Sequence, residues 1–184
     1  MTTTEATTMT TEGAELSSSP DAPVAPGRAR LTAILIGALV VAADVATKTW
    51  AVARLGADPI SLAGGTVVFT ESRNPGAAFG MATSMTPVLA VIAAAAVGGL
   101  LVFAPRVRGR WALAAVGLGL GGAAGNLVDR LFRAPGPLRG HVVDWIDIGS
   151  WPTFNLADSA LVSAAAIALV LSVAPAARPQ RDVL

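Results

Sequence analysis

Four apolar stretches, each close to the length of a membrane-spanning helix, dominate the sequence; they cover residues 31–53, 86–104, 111–129 and 156–174. A helix rises about 1.5 Å per residue, so about 20 residues cross the hydrocarbon core of a bilayer. The stretches mostly lack the polar stripe that a soluble helical bundle would require. Charged residues make up 14% of the chain, against about 25% in an average soluble domain. We therefore predict an all-α polytopic membrane protein with four transmembrane helices.

Positive charge is distributed unequally between the two sides of this predicted bundle. Four crossings place seven Arg residues on the side of the chain termini and five on the opposite side. Cytoplasmic segments of membrane proteins carry the excess of Lys and Arg. We therefore predict that both termini are cytoplasmic.

The remaining segments divide the chain further. Residues 1–27 are rich in Thr, Ser, Ala and Pro and lack Lys and Arg, which predicts a disordered cytoplasmic tail. Residues 28–176 form the predicted membrane domain, and residues 177–184 a second cytoplasmic tail. The β-branched and aromatic residues of 60–70 favour a short strand or hairpin. The predicted fold thus includes a small extracytoplasmic β-layer, with a loop or helix between the third and fourth spans.

Composition excludes several kinds of site. The chain has no Cys, so it has no disulfide, no thiolate metal site and no Cys nucleophile. The one histidine, His141, disfavours a His-based zinc site and receives no role. No metal or cofactor is predicted.

Polar residues inside or beside the apolar stretches indicate a functional site, because such residues are costly in a membrane. With the predicted topology all of them reach the extracytoplasmic boundary, whereas independent placement would scatter them through the membrane. The set comprises Asp44, Lys48, Asn74, Asn126, Asp129, Arg130, Asp144, Asn155 and Asp158.

Several of these residues also have a purely structural interpretation. Asp44 and Lys48 are four residues apart on one helix face and can neutralise each other. Asn155 and Asp158 can be the N-cap and third-position acid of the last helix. Arg130 can be an interface residue whose charged end reaches water.

Two further structural interpretations concern the backbone. Asn74 precedes Pro75 and Gly76, a sequence typical of a turn. Glycines at positions 117, 121 and 125 recur every four residues, which predicts close packing against a neighbouring helix.

Two aspartates at one site have a specific chemical meaning. At close range both cannot ionise, so the pair shares a proton. The ionised member can take a proton from water while the protonated member donates to a carbonyl oxygen, which hydrolyses an amide without a covalent intermediate. The Gly- and Pro-containing segment between Asp144 and Asp158 permits their convergence without requiring it.

Two other classes of protein also place carboxylates in membranes. A proton- or ion-coupled transporter needs them, but near the membrane midplane and often between structural repeats. A non-enzymatic scaffold uses polar groups to hold helices together. The scaffold leaves the gathering of these groups at one boundary unexplained.

Five motifs taken together resemble one known family. They are DVATK in the first span, RNPGAAF before the second, GNLVDR at the end of the third, VVDWID in the following loop and FNLADS at the start of the fourth. Over residues 30–175 the chain resembles lipoprotein signal peptidase, also called signal peptidase II. The resemblance implies a four-helix aspartic endopeptidase of the bacterial cytoplasmic membrane. It would remove signal peptides from prolipoproteins just before a diacylglyceryl-modified cysteine.

The resemblance also implies roles for individual residues. The catalytic pair would be Asp144 of VVDW and Asp158 of NLAD, whereas Asp147 has no catalytic counterpart. The remaining motif positions would support the site or bind substrate: Asp44, Lys48, Asn74, Asn126, Asp129, Arg130 and Asn155. The implied partners are diacylglyceryl-prolipoproteins and membrane lipids, with no nucleic acid. Trp145 stands where the family more often has Phe, and the long N-terminal tail has no counterpart in the resemblance.

Overall fold

The computed structural model describes residues 25–76 and 85–174, and four helices dominate it. They are α1 (Pro26–Arg54), α2 (Thr86–Phe103), α3 (Arg110–Phe132) and α4 (Leu156–Val173). All four are long and apolar enough to span a membrane, α2 together with the short 3-10 turn that follows it. The four predicted spans are therefore confirmed, although α1 begins five residues earlier and α3 ends three residues later than predicted.

The predicted tails fall mostly outside the described residues. Helix α1 begins at Pro26, two residues before the predicted start of the membrane domain. Residues 1–24 of the predicted tail, and the whole of 177–184, are not described, so the predictions for them stay predictions.

Helix α3 is the centre of the bundle and contacts each of the other three helices. In its most apolar 18-residue window 56% of the residues are buried, against 11–22% in the other three helices. Small residues explain this burial. A Cβ added to Gly117 would lie 2.6 Å from Ile36 Cβ, and one added to Gly121 would lie 2.5 Å from Val40 Cβ. The predicted close packing at the glycine repeat is thus confirmed.

A three-stranded antiparallel sheet adjoins one end of the bundle. Strands β1 (Ile60–Leu62) and β2 (Val67–Asn74) form a hairpin joined by a 3-10 turn, which confirms the strand prediction over 60–70. Strand β3 (Val142–Ile148) pairs with β2, so the sheet order is β1-β2-β3. The connection between α3 and α4 contains this strand where a loop or helix was predicted.

An aromatic cluster of Trp50, Phe69 and Trp145 attaches the sheet to the bundle. The three rings come from α1, β2 and β3 and meet edge to face, with centroid separations of 5.3 to 6.4 Å. This is the favoured geometry for aromatic pairs. Trp145 also packs with the buried residues Ala51 and Leu55. The cluster therefore fixes β3, which carries Asp144, against the end of α1.

We expect Gly121→Ala to destabilise the protein by about 1–3 kcal/mol, since its methyl group would overlap Val40 and lie 2.8 Å from the Gly37 carbonyl oxygen. Gly99→Ala on α2 is the matched control, because a Cβ there meets nothing within 4 Å. Thermal unfolding in detergent measures both. Equal midpoints for the two variants would contradict the packing argument.

Candidate active site

The two aspartates come from different secondary-structure elements at the same end of the bundle. Asp144 is on β3, opposite Ser72 of β2, and its side chain is 3% exposed. Asp158 is the third residue of α4, where its Oδ2 accepts a hydrogen bond from the Asn155 backbone N–H at 3.2 Å. Asn155 Oδ1 in turn accepts from the Asp158 N–H at 2.9 Å. The structural interpretation of Asn155 and Asp158 as a helix cap is confirmed.

The Asn155 side chain also connects the two aspartates. Its Nδ2 donates to Asp144 Oδ1 at 2.6 Å, while the opposite side of the same amide caps α4 beside Asp158. A structural cap and a link between the carboxylates are therefore made by one buried amide.

Asp144 lies among donors but still has a perturbed pKa. Its Oδ2 accepts from Asn74 Nδ2 at 3.1 Å, in addition to the bond from Asn155. Burial, and next the negative charge of Asp158, raise the pKa of Asp144 from its ordinary value to about 6. The two amide donors and the charge of Lys48 act in the opposite direction. Asn74 also accepts from the Gly76 N–H at 2.9 Å, so its predicted turn role is confirmed as well.

A fully buried ammonium lies beside this pair. Lys48 Nζ is 2.7 Å from Asp44 Oδ2, 2.9 Å from Asp129 Oδ2 and 3.0 Å from Asn126 Oδ1. Asn126 Nδ2 donates to Asp158 Oδ1 at 2.8 Å. The predicted neutralisation of Asp44 by Lys48 is confirmed, and it belongs to a larger network that reaches Asp158.

Each acid bound to Lys48 also holds a backbone amide near one of the two aspartates. Asp44 Oδ1 accepts from the Ala157 N–H at 2.9 Å. Asp129 Oδ2 accepts from the Val143 N–H at 3.1 Å, and Asp129 Oδ1 accepts from Arg133. The network therefore ties α1 and α3 to β3 and α4 at the residues preceding Asp144 and Asp158.

Arg130 is buried rather than extended towards water. Its side chain is 8% exposed. Its Nη2 donates to the Gly76 carbonyl at 3.0 Å and its Nη1 to the Asn126 carbonyl at 3.2 Å. The interpretation of Arg130 as a snorkelling interface residue is therefore wrong, because two carbonyl groups at the site hold the guanidinium inward. Its buried Nε–H has no hydrogen-bond partner among the described residues.

A cavity of about 480 Å³ opens at these groups. Its polar wall includes Asn126, Arg130 and both aspartates, and its apolar wall comes from the start of α4 and the segment before it. The apolar lining residues there are Trp151, Pro152, Phe154, Leu161 and Val162, joined by Pro75 after β2 and Val142 on β3. The site can thus receive an extended, partly apolar ligand beside two carboxylates. Over the described ranges, 25–76 and 85–174, no group of three or more His, Cys, Asp or Glu side chains is arranged to hold a metal.

All nine residues predicted from the sequence meet in this one network. Asp147 is on the same strand as Asp144 but three residues away, which puts it on the opposite face. His141 is half-buried and its backbone N–H donates to the Ala134 carbonyl. Sequence reasoning missed Arg133, although its position four residues after Asp129 on one helix was a signal for an ion pair. It also missed the Gly76 carbonyl.

Comparisons with known proteins agree with this geometry. The family model of signal peptidase (SPase) II matches residues 36–174. A lipoprotein signal peptidase of Mycobacterium tuberculosis is 46% identical over 164 residues, covering 89% of this chain and 81% of the relative. One from Rhodococcus jostii is 46% identical over 156 residues, covering 84% and 78%.

Solved structures give the same relationship at the level of the fold. Two structures described as a bacterial membrane enzyme, determined by the in meso method, are each 29% identical to this chain with a TM-score of 0.66. The matched region is 77% of this chain in both comparisons, and 87% and 92% of the two solved chains. These findings give no support to the transporter alternative. This multi-pass membrane protein belongs to the signal peptidase II family of aspartic peptidases.

Proposed function

We propose that this protein removes signal peptides from diacylglyceryl-modified bacterial prolipoproteins, cleaving before the lipidated cysteine. Family membership supports the reaction class. The observation that carries the proposal is the pair of carboxylates, Asp144 and Asp158, joined through Asn155 at the wall of a cavity. The apolar part of that wall suits a substrate whose signal peptide and lipid both lie in a membrane.

In the proposed mechanism the two aspartates have different roles. Asp144 carries the proton, because burial and the charge of Asp158 raise its pKa to about 6. Asp158 takes a proton from the attacking water while Asp144 donates to the scissile carbonyl oxygen, and the C–N bond then breaks as Asp158 passes its proton to the leaving nitrogen and Asp144 recovers its own. The unpaired Nε–H of Arg130 is available to stabilise the developing oxyanion. Asn74, Asn126 and Asn155 orient the carboxylates.

The proposed location is the bacterial cytoplasmic membrane, with the cavity at its extracytoplasmic surface and both termini in the cytoplasm. The arginine distribution, seven residues on the side of the termini against five on the other, supports this orientation. Diacylglyceryl-prolipoproteins approaching within the membrane, and the surrounding lipids, are the proposed partners.

Asp144→Asn and Asp158→Asn should each lower kcat for cleavage of a diacylated prolipoprotein by at least about 10³-fold, because general acid–base catalysis is lost. Asp147→Asn is the matched control: the same substitution on the same strand, facing away from the cavity. We expect it to retain most of the activity. Purified enzyme in micelles gives the rates, and full activity of either of the first two variants would refute the proposed dyad.

The pH dependence follows from the raised pKa of Asp144. Below about pH 6 Asp144 holds the proton that it donates, and above that pH Asp144 loses it. We therefore expect kcat/KM to fall as the pH rises through about 6, with an apparent midpoint that belongs to the coupled pair. Rates between pH 4.5 and 8 measure this. A constant kcat/KM across that range would contradict the assignment of the proton to Asp144.

Reporter fusions test the proposed orientation. A reporter active only in the cytoplasm should be active after residue 184 and inactive when inserted at Gly64, in the turn between β1 and β2. The opposite pair of results would reverse the predicted topology while leaving the chemistry of the site unaffected.

A further inference from the structure

Lys48 is separated from both aspartates by other side chains, yet each of its contacts leads to one of them. Its ammonium is fully buried and has three acceptors, in Asp44, Asp129 and Asn126. Desolvating a charge to this extent is expensive, and good geometry recovers the cost only in part. Neutralising one carboxylate would not require three acceptors on two helices. The arrangement indicates a function beyond neutralisation.

The contact with Asn126 is directional. Asn126 Oδ1 accepts from Lys48 Nζ at 3.0 Å and from Asn155 Nδ2 at 3.3 Å. An ammonium has donors and no acceptor. Rotating the Asn126 amide by half a turn would aim its NH₂ group at the ammonium and its oxygen at a carboxylate. The amide therefore has one permitted orientation, with Nδ2 donating to Asp158 Oδ1 at 2.8 Å.

We infer that Lys48 is a positioning residue for catalysis: its ammonium fixes the orientation of the Asn126 amide, which holds the Asp158 carboxylate in place to activate water. This inference rests on the proposed function of the Asp144–Asp158 pair. Lys48 does not line the cavity, and its positioning effect on Asp158 runs through Asn126.

Other charged groups lie near the Asp144–Asp158 pair, and their effects must be distinguished from that of the Lys48–Asn126 contact. Asp44 faces the pair from α1, and Asp129 and Arg130 face it from α3. Strand β2 contributes the uncharged Asn74, and its Glu71–Arg73 ion pair is partly exposed. Because removal of Lys48 alone would leave the buried Asp44 carboxylate without its ion-pair partner, whereas Asp129 keeps Arg133, the test combines Lys48→Met with Asp44→Asn. Wild type has two carboxylates and one ammonium in this cluster, and the double variant has the Asp129 carboxylate alone, so the net charge of −1 is kept.

The experiment is a cycle that compares three variants: Asp44→Asn/Lys48→Met, Asp44→Asn/Asn126→Ala, and the triple combination, each relative to Asp44→Asn. We expect kcat to fall about 100-fold in the first two, with KM within about threefold of the reference, because positioning is lost and binding is not. The triple variant should be no slower than the slower of the two, because both changes break the same chain of contacts. Multiplicative losses in the triple variant, or an undiminished kcat without Lys48, would overturn the inference.

A second variant tests the inference without removing Lys48. Asn126→Asp keeps an oxygen for the ammonium and abolishes the donor to Asp158, so it should lose activity to the same extent, with a lower thermal midpoint because its second oxygen brings a like charge against Asp158 Oδ1. Retained activity would overturn the inference. Arg106→Met is the control, because it removes a cation that follows α2, at the end of the bundle away from the site, and should leave kcat unchanged.

The pH profile distinguishes positioning from a general structural role. The charge of Lys48 lowers the pKa of Asp144. Asp44→Asn/Lys48→Met removes that charge together with the opposite charge of Asp44. The midpoint of the fall in kcat/KM should therefore move to higher pH unless the loss of the Asp44 charge offsets the loss of the Lys48 charge. An unshifted profile together with a lower kcat supports action through Asn126, and a shifted profile with normal kcat refutes it.

If Asp144→Asn and Asp158→Asn are inactive but the Lys48 cycle is additive, this inference alone fails; if those aspartate variants are active, the proposed function fails as well.

Discussion

The contact between the buried ammonium of Lys48 and its three acceptors is the interaction on which the rest of the site depends. A charge desolvated to this extent is tolerated only when its donors are all satisfied. Here the acceptors belong to α1 and α3, and the same two acids hold the amides of Ala157 and Val143, through Asp44 Oδ1 and Asp129 Oδ2. One electrostatic requirement thereby sets the relative positions of two helices, a strand and the start of α4.

This network can form only because the helices approach closely. A Cβ added to Gly125 would lie 2.7 Å from Asp44 Oδ2, and one added to Gly122 would lie 2.5 Å from the Ala157 carbonyl oxygen. Small residues on α3 therefore do more than increase packing between apolar helices. They leave the space in which the Asp44 carboxylate reaches across to the first turn of α4. The sequence of α3 thus determines the geometry around Asp144 and Asp158, although these two residues lie on β3 and α4.

The parts of the molecule that the sequence predicted are those governed by the membrane and by local chemistry. Span length follows from bilayer thickness, and the capping role of Asn155 and Asp158 follows from their spacing at a helix start. The sequence predicted that Arg130 belongs to the polar set. It did not predict that Arg130 is buried, because the burial depends on a hydrogen bond to the carbonyl of Gly76, which is distant in sequence. The pairing of β3 with β2 was likewise unpredictable, since VVDWID is apolar on both faces and lacks the alternation that marks a strand.

The two aspartates occupy unlike environments, and that difference is what the proposed division of roles requires. Asp158 lies in the first turn of α4, where backbone N–H groups and the positive end of the helix dipole favour a negative charge. Asp144 lies on a strand, where burial and the neighbouring charge of Asp158 raise its pKa to about 6. The proposed mechanism uses this difference by making Asp144 the acid and Asp158 the base. In that mechanism the helix that spans the membrane and the strand that covers its end each supply one of the two groups that transfer protons.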